Sequence, residues 1–295
     1  QGKLSEAAQL FGESLEIRQR LVDSDPTNTT WQRDLAMIFA RLGILEREQG
    51  NPTDAYRYFN QWRDVSQRLV DSEPENAVWL NDLGSAFHNL GNVTAEQGDL
   101  PRATEFLRES IDLMRQLVES DPGNTTWQRS LSLPLDALSD VTKVQRDLTE
   151  ATQLANESLD IARRLTESDP NNRQWQHDLA LSLERLGELA KIQGNVPEAA
   201  RYFSEEVDVL RPLAEASRDH IDWQRDMARA LNRAGDLSLL LGNLPEAQRV
   251  YRESLDIRTT LAASAAPHPR RHRDLVNSYW KLGKVAMAAD DFTES

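Results

Sequence analysis

The feature that most limits how this chain can fold is an internal repeat, with a step of 48 residues from Trp31 to Trp79. Tryptophan recurs at that step at Trp31, Trp79, Trp127, Trp175 and Trp223. Three further series have the same spacing, and they are Gly43, Gly91, Gly187, Gly235 and Gly283; Ala7, Ala55, Ala103, Ala151, Ala199 and Ala247; and Leu21, Leu69, Leu117, Leu165, Leu213 and Leu261. Such a period is typical of a stacked array in which every repeat is one supersecondary unit.

Each repeat reads as two helices, which we call helix A and helix B. Helix A is clearest after Trp175, where apolar residues recur every three or four positions as far as Ala190. Gly194 is predicted to end this helix in the left-handed conformation, and Pro197 to begin helix B, where no N–H is needed. The pair Asp169-Pro170 is predicted to end the preceding helix B, because the residue before a proline avoids the helical conformation.

These signals predict an all-α fold. The connections are short, so neighbouring helices should run antiparallel, and one hairpin cannot cover its own apolar face without the next. We therefore predict a right-handed superhelical solenoid of about 12 helices, as a single array over residues 1–295. Its predicted parts are a partial repeat 1–30, repeats 31–78, 79–126, 127–174, 175–222 and 223–270, and a partial repeat 271–295.

Composition narrows the classes of partner and compartment. The formal net charge is −14, which argues against general nucleic-acid binding, because such binding depends on Lys and Arg at phosphates. A neutral or basic partner is favoured instead. The chain contains no cysteine, which fits a reducing compartment, and no apolar run is long enough for a membrane span. We expect a cytoplasmic protein that binds neither nucleic acid nor membrane.

The turn and packing residues resemble a known family. The run Leu186-Gly187, Gly194-Asn195, Glu198-Ala199 and Phe203 is similar to the tetratricopeptide repeat, although the period here is longer. The long form resembles kinesin light chains and bacterial arrays with Trp-Gln-Arg-Asp-Leu, here residues 31–35. The resemblance implies a scaffold or sensor segment, as in NLR-like signalling ATPases and caspase-like protease fusions, with partner peptides bound in a concave groove lined by the A helices.

Groove positions follow from the same resemblance. They are the residue after the periodic glycine and the residue four places earlier than that. The candidates for partner binding are His88, Asn92, Asp136, Asp140, Glu184, Glu188, Asn232, Asp236 and Trp280. The middle of this series is acidic, and some of the charge is expected to be neutralised locally by Lys143, Lys191, Arg185 and Arg233. The hypothesis is that a basic or amphipathic segment binds there. The alternative is that these carboxylates form only a solvated face.

The sequence favours a non-catalytic protein. Its carboxylates repeat with the period of the array and form no isolated acid–base pair, and there is no nucleophile–base arrangement or glycine-rich phosphate loop. His268 and His272 are four residues apart, but Pro269 lies between them and no third ligand is near. The basic cluster to which they belong could dock an acidic surface or form a solvated loop. We therefore expect no metal, no cofactor and no catalytic residue.

Two repeats depart from the pattern. The third has Pro134 inside helix A and Ser139 and Arg146 where its neighbours have glycine. Either the helix bends and alters the superhelix, or the repeat has drifted and is supported by its neighbours. Trp62 occupies a place that is otherwise polar, at Ser14, Ser110, Ser158, Glu206 and Ser254, which indicates an outer face. Trp62 is either packed inward or an exposed aromatic anchor.

The ends of the repeat pattern leave an alternative open. The array starts with a helix B and finishes with a helix A, and each should expose an apolar stripe. Either the sequence is a slice of a longer array, or copies stack end to end into a filament.

Overall fold

A computed structural model describes residues 2–217, 220–263 and 269–293, with no account of the side chains of 2–5, 269–272 and 290–293. Within that part the chain forms twelve α-helices and no strand. The B helices are α1 (Gly2–Ser24), α3 (Pro52–Ser72), α5 (Leu100–Ser120), α7 (Leu148–Ser168), α9 (Val196–Ala216) and α11 (Leu244–Ala263). The A helices are α2 (Thr29–Glu48), α4 (Ala77–Glu96), α6 (Thr125–Val144), α8 (Arg173–Ile192), α10 (Ile221–Leu240) and α12 (Pro269–Thr293).

Asparagine side chains cap the A helices, which therefore begin two residues before the periodic tryptophan. Asn28, Asn124 and Asn172 each accept a hydrogen bond from the backbone N–H of the tryptophan three residues later, at 3.1–3.2 Å. Asn76 does the same at α4. The caps satisfy N–H groups that have no partner inside the helix.

The predicted turns from A to B are confirmed. Four of them have a glycine with positive φ, namely Gly50, Gly98, Gly194 and Gly242. In the third repeat Arg146 adopts the same conformation, with φ 69°. Because a side chain disfavours this region, Arg146 carries backbone strain that its glycine neighbours avoid.

Each helix A packs on its helix B through a small residue. At Gly43, Gly187 and Gly235 a Cβ would overlap the ring of Phe59, Phe203 or Tyr251, and at Gly91 it would overlap Leu107. The third hairpin reverses the sizes, since the larger Ser139 in α6 is matched at the same register by the smaller, fully buried Ala155 in α7. The Ser139 hydroxyl donates to the Ala151 carbonyl at 2.8 Å. This substitution is therefore compensated within the hairpin.

Two other departures are also settled. Trp62 packs inward, as one of the two interpretations held, and is 6% exposed. The polar face predicted at its equivalents is wrong: Ser110, Ser158, Glu206 and Ser254 are buried. Ser110 and Ser254 donate to the carbonyls of Gly84 and Ala228 in the A helices, at 2.7 and 2.8 Å, so these residues are polar because they bond the neighbouring backbone.

Pro134 lies inside α6 without ending the helix, and Pro212 does the same in α9. Whether Pro134 alters the array stays a prediction. The basic cluster of Pro267 to His272 lies outside the described side chains.

The helices group into two compact units, Gln1–Ile161 and Ala162–Ser295, and the division falls within α7. Fully buried residues of the first unit include Phe59, Leu69, Leu90, Leu107 and Met114. Those of the second include Leu165, Leu183, Phe203 and Tyr251. The extent of a single array over residues 1–295 stays a prediction.

Candidate partner-binding surface

His88 and Asn92 of the first unit lie one turn apart on α4. The Asn92 amide Nδ2 and the His88 Nε2 atom are 2.9 Å apart, and both side chains are half-buried. Burial lowers the pKa of His88 to about 4, and Arg47 adds to the effect. The imidazole is therefore neutral near pH 7, and this pair supplies hydrogen bonding without charge.

Asp136 and Asp140 lie one turn apart on α6. Both are half-buried. Lys143 Nζ donates to Asp140 Oδ1 at 2.6 Å, as expected from the sequence. The pair is within the same helix and partly exposed to solvent.

Glu184 and Glu188 of the second unit also have cationic partners. Arg233 bonds Glu184 at 2.7 Å, and Lys191 lies 3.4 Å from Glu188. Arg233 also bonds Glu206, which is 1% exposed. This buried cluster of Glu184, Arg233 and Glu206 joins α8, α10 and α9.

Burial raises the pKa of Glu206 to about 7, against the opposing effect of Arg233. Burial also acts against the charge of Arg233, but the two carboxylates outweigh it and raise the pKa of Arg233. Glu184 is therefore partly committed to a structural cluster, while Glu188 is held only by a surface lysine.

Asp236 accepts a hydrogen bond from the Tyr251 hydroxyl at 2.5 Å and bonds Lys281 of α12. Burial and the nearby Asp236 carboxylate raise the pKa of Tyr251. The sequence did not indicate Lys281 as a partner, because it lies one repeat later on the next helix A.

The last two candidates differ in accessibility. Asn232 is buried, which corrects its assignment to an exposed surface. With its amide oriented to satisfy both ends, it donates to Ser254 Oγ at 3.1 Å and accepts from Arg258. Trp280 is 60% exposed, and the Lys284 ammonium lies 4.6 Å from its ring centroid.

The accessible candidates thus offer partly exposed carboxylates that already have cationic neighbours. Exposed ion pairs are worth about 0–1 kcal/mol, so a basic ligand can displace Lys143 from Asp140 or Lys191 from Glu188 at little cost. In the part of the chain with described side chains, no group of three or more His, Asp or Glu residues converges as a metal site.

Ion pairs between successive repeats were missed by the sequence reasoning. Arg115 and Arg163 bond Glu157 and Glu205 on the next helix B, each at 2.8 Å, and Arg211 bonds Glu253 in the same way. Arg33 of α2 bonds Asp82 of α4 at 2.7 Å. The recurrence of arginine every 48 residues from Arg115 was a signal that could have indicated them.

A cleft of the second unit was also not predicted. It lies among α9, α10 and α11 and has a volume of about 540 Å³. Its apolar lining includes Ala214, Ile221, Met227 and Ile257, and Arg211 and Glu253 lie at it as well. No helix among the described residues is apolar and long enough to cross a bilayer.

Comparisons with known proteins agree with this repeat pattern. A tetratricopeptide repeat model matches residues 1–27 and 83–122. No curated protein matches the chain.

Several solved structures have a similar fold. BtubC (BKLC) from P. vanneervenii is 17% identical, with a TM-score of 0.69, and the match covers 90% of this chain and 94% of that one. A putative kinesin light chain from Podosopora anserina, with nearly identical TPR-like repeats, is 14% identical, with a TM-score of 0.56 and coverage of 77% and 96%. The apo form of RapI is 11% identical, with a TM-score of 0.52 and coverage of 95% and 91%.

At these identities the likeness is one of fold alone. It agrees with the helix hairpins, the glycine turns and the glycine–ring contacts described above. The predicted resemblance is confirmed: the chain has the TPR-like repeat fold, and tetratricopeptide repeats are recognised in it at residues 1–27 and 83–122.

Proposed function

We propose that this chain is a non-catalytic scaffold or sensor segment of the cytoplasm that binds a protein or peptide through its A helices. The binding residues on the first unit are His88, Asn92, Asp136 and Asp140. Those on the second are Glu184, Glu188, Asp236 and Trp280. Asn232 is omitted because it is buried.

One observation carries the proposal. The place after the periodic glycine varies from repeat to repeat, and its residues are Ile44, Asn92, Asp140, Glu188, Asp236 and Lys284. Each of these side chains is at least partly accessible, whereas the glycine beside each of the first five, or Ser139 in its place, is buried. A fixed frame that presents varied, accessible side chains is typical of a recognition surface.

The charge of that surface favours a basic segment. Asp140, Glu188 and Asp236 are partly exposed, and Lys143 and Lys191 hold the first two in pairs of the weak surface type. A peptide that carries Arg or Lys can replace these lysines, and its binding should weaken as salt screens the charges.

Binding of synthetic peptides tests this proposal. The probes are labelled peptides of equal length with basic, neutral or acidic composition, measured by fluorescence anisotropy at low and high salt. The wild-type chain is expected to prefer basic peptides, and the double variant Asp140→Lys, Glu188→Lys to lose most of that preference.

A matched control separates the surface from net charge. Asp112 and Asp208 are exposed on the B helices α5 and α9, so Asp112→Lys with Asp208→Lys changes the charge equally and should leave peptide binding intact. Equal losses in both double variants, or basic peptides that bind no better than acidic ones, would contradict the proposal. End-to-end assembly, the alternative function, involves different surfaces, on α1 and α12.

A further inference from the structure

One face of α12 is open where every other helix A is covered. Val276 and Tyr279 are 67% and 62% exposed, and no atom lies within 4 Å of a Cβ built on Gly283. The corresponding side chains of the other A helices are buried, and they include Ala36, Ser132, Ala180 and Ala228 for Val276, and Phe39, Leu135, Leu183 and Leu231 for Tyr279.

α1 has the complementary defect among the B helices. Leu10 and Ile17 are 56% and 53% exposed, and Phe11 is half-buried. Their equivalents are buried: Phe106, Leu154, Tyr202 and Val250 for Leu10, Val65 and Ile161 for Ile17, and Phe59, Leu107, Phe203 and Tyr251 for Phe11.

The internal hairpins show what covers such faces. A ring of helix B sits on the glycine of helix A, as Phe59 does on Gly43 and Tyr251 on Gly235. A second contact lies beside it, where Phe39 stacks on Tyr58 with centroids 6.4 Å apart. Gly283 is one period after Gly235, and Phe11 is one period before Phe59. Phe11 is thus a ring in the B-helix register whose glycine is missing, and Gly283 is a glycine without a ring.

We propose that α12 binds α1 of a second copy of this chain. Phe11 of the second copy covers Gly283, and Leu10 packs against Tyr279, in the register of Tyr58 against Phe39. The contact reproduces the hairpin packing that occurs inside the chain, so it requires no new kind of surface.

Charges on the two faces fit the same register. Arg33 bonds Asp82 between successive A helices at 2.7 Å, and Arg273 and Asp34 hold these two places at the proposed junction. Asp34 is exposed enough to take a second partner besides Arg18.

A second ion pair follows from the B helices. Arg108 bonds Glu150 at 2.8 Å, and Arg252 and Glu6 hold the equivalent places. Both predicted pairs between copies therefore have opposite charges, and a salt-dependent contribution is expected.

The two faces are unequal, so the contact is head to tail. Such an interface leaves one free face at each end of every oligomer, and assembly continues without closing unless the rotation between copies makes a ring. The oligomer size should therefore rise with concentration.

Sedimentation velocity of the 295-residue chain tests the inference. The wild type is expected to exceed the monomer mass of 33.5 kDa increasingly as concentration rises. Leu10→Glu spoils the α1 face and Gly283→Trp blocks the α12 face, and each variant alone should stay monomeric. Both positions are exposed, so neither change disturbs the fold.

Mixing the two variants gives the sharpest result. Each retains one intact face, so an equimolar mixture should form a heterodimer and nothing larger. Val144→Glu, at an exposed position of α6 outside both faces, should assemble like the wild type. A wild-type chain that stays monomeric at all concentrations, variants that assemble unchanged, or a mixture that fails to pair would overturn the inference. Because the variants leave Asp140 and Glu188 intact, peptide binding remains a separate readout.

Discussion

At the scale of single residues, Glu206 combines burial with a charged partner. It stands where other repeats have serine, is 1% exposed and bonds Arg233. Its pKa is raised from 4.5 to about 7, so the folded chain keeps a proton that the unfolded chain releases in that interval. Folding stability should therefore fall as pH rises from about 4.5 to about 7 and change little from this group above that range.

The variant Glu206→Gln removes this titration. The difference in unfolding free energy between wild type and variant should change across the interval by up to about 3 kcal/mol, at roughly 1.4 kcal/mol per pKa unit. Urea denaturation at several pH values measures it. Parallel curves for the two proteins would show that Glu206 does not titrate there.

Single residues also limit what the sequence can predict. Glu206 and Asn232 looked exposed because their types are polar, yet both are buried and bonded to neighbours on other helices. Lys281 bonds Asp236 across one repeat. Periodicity assigns a residue to a helix face, but the partner that makes a buried polar residue tolerable is only visible in three dimensions.

At the scale of elements, the hairpin depends on the missing Cβ at the A–B contact. In the variant Gly187→Ala the new methyl would overlap the Phe203 ring, and overpacking of this kind costs about 1–3 kcal/mol. Gly283→Ala is the matched control, since nothing lies within 4 Å of the added atom, and there helix propensity should stabilise by up to about 1 kcal/mol.

Urea midpoints of the two variants measure this difference. The expected result is a lower midpoint for Gly187→Ala and an equal or higher one for Gly283→Ala. If both alanines shifted the midpoint in the same direction and by the same amount, the glycine–ring contact would not be a determinant of hairpin packing.

Elements were the part of the fold that the sequence predicted well. The A helices, the glycine turns and the Asp-Pro ends of the B helices depend on local backbone preferences, which residue types report directly. The asparagine caps escaped notice because the tryptophan two residues inside the helix is the stronger mark. Compensation of Ser139 by Ala155 was also missed, since it links two helices.

At the scale of the whole molecule, each inner hairpin gains its stability from neighbours. Leu69 and Leu107 are buried where Leu21 and Leu10 of α1 are exposed, although α1 belongs to the same helix type. Burial of apolar surface contributes about 25 cal/mol per Å², so a helix with one open face should unfold locally at a lower free energy than an inner helix.

Amide hydrogen exchange of the Gly283→Trp variant, in which copies should not cover each other, tests this central claim most directly. We expect fast exchange in α1 and α12 and the slowest exchange in inner helices such as α4 and α5, with the slow amides grouped by hairpin. Equal protection of α1, α12 and the inner helices would contradict the claim that neighbouring hairpins hold each helix in place.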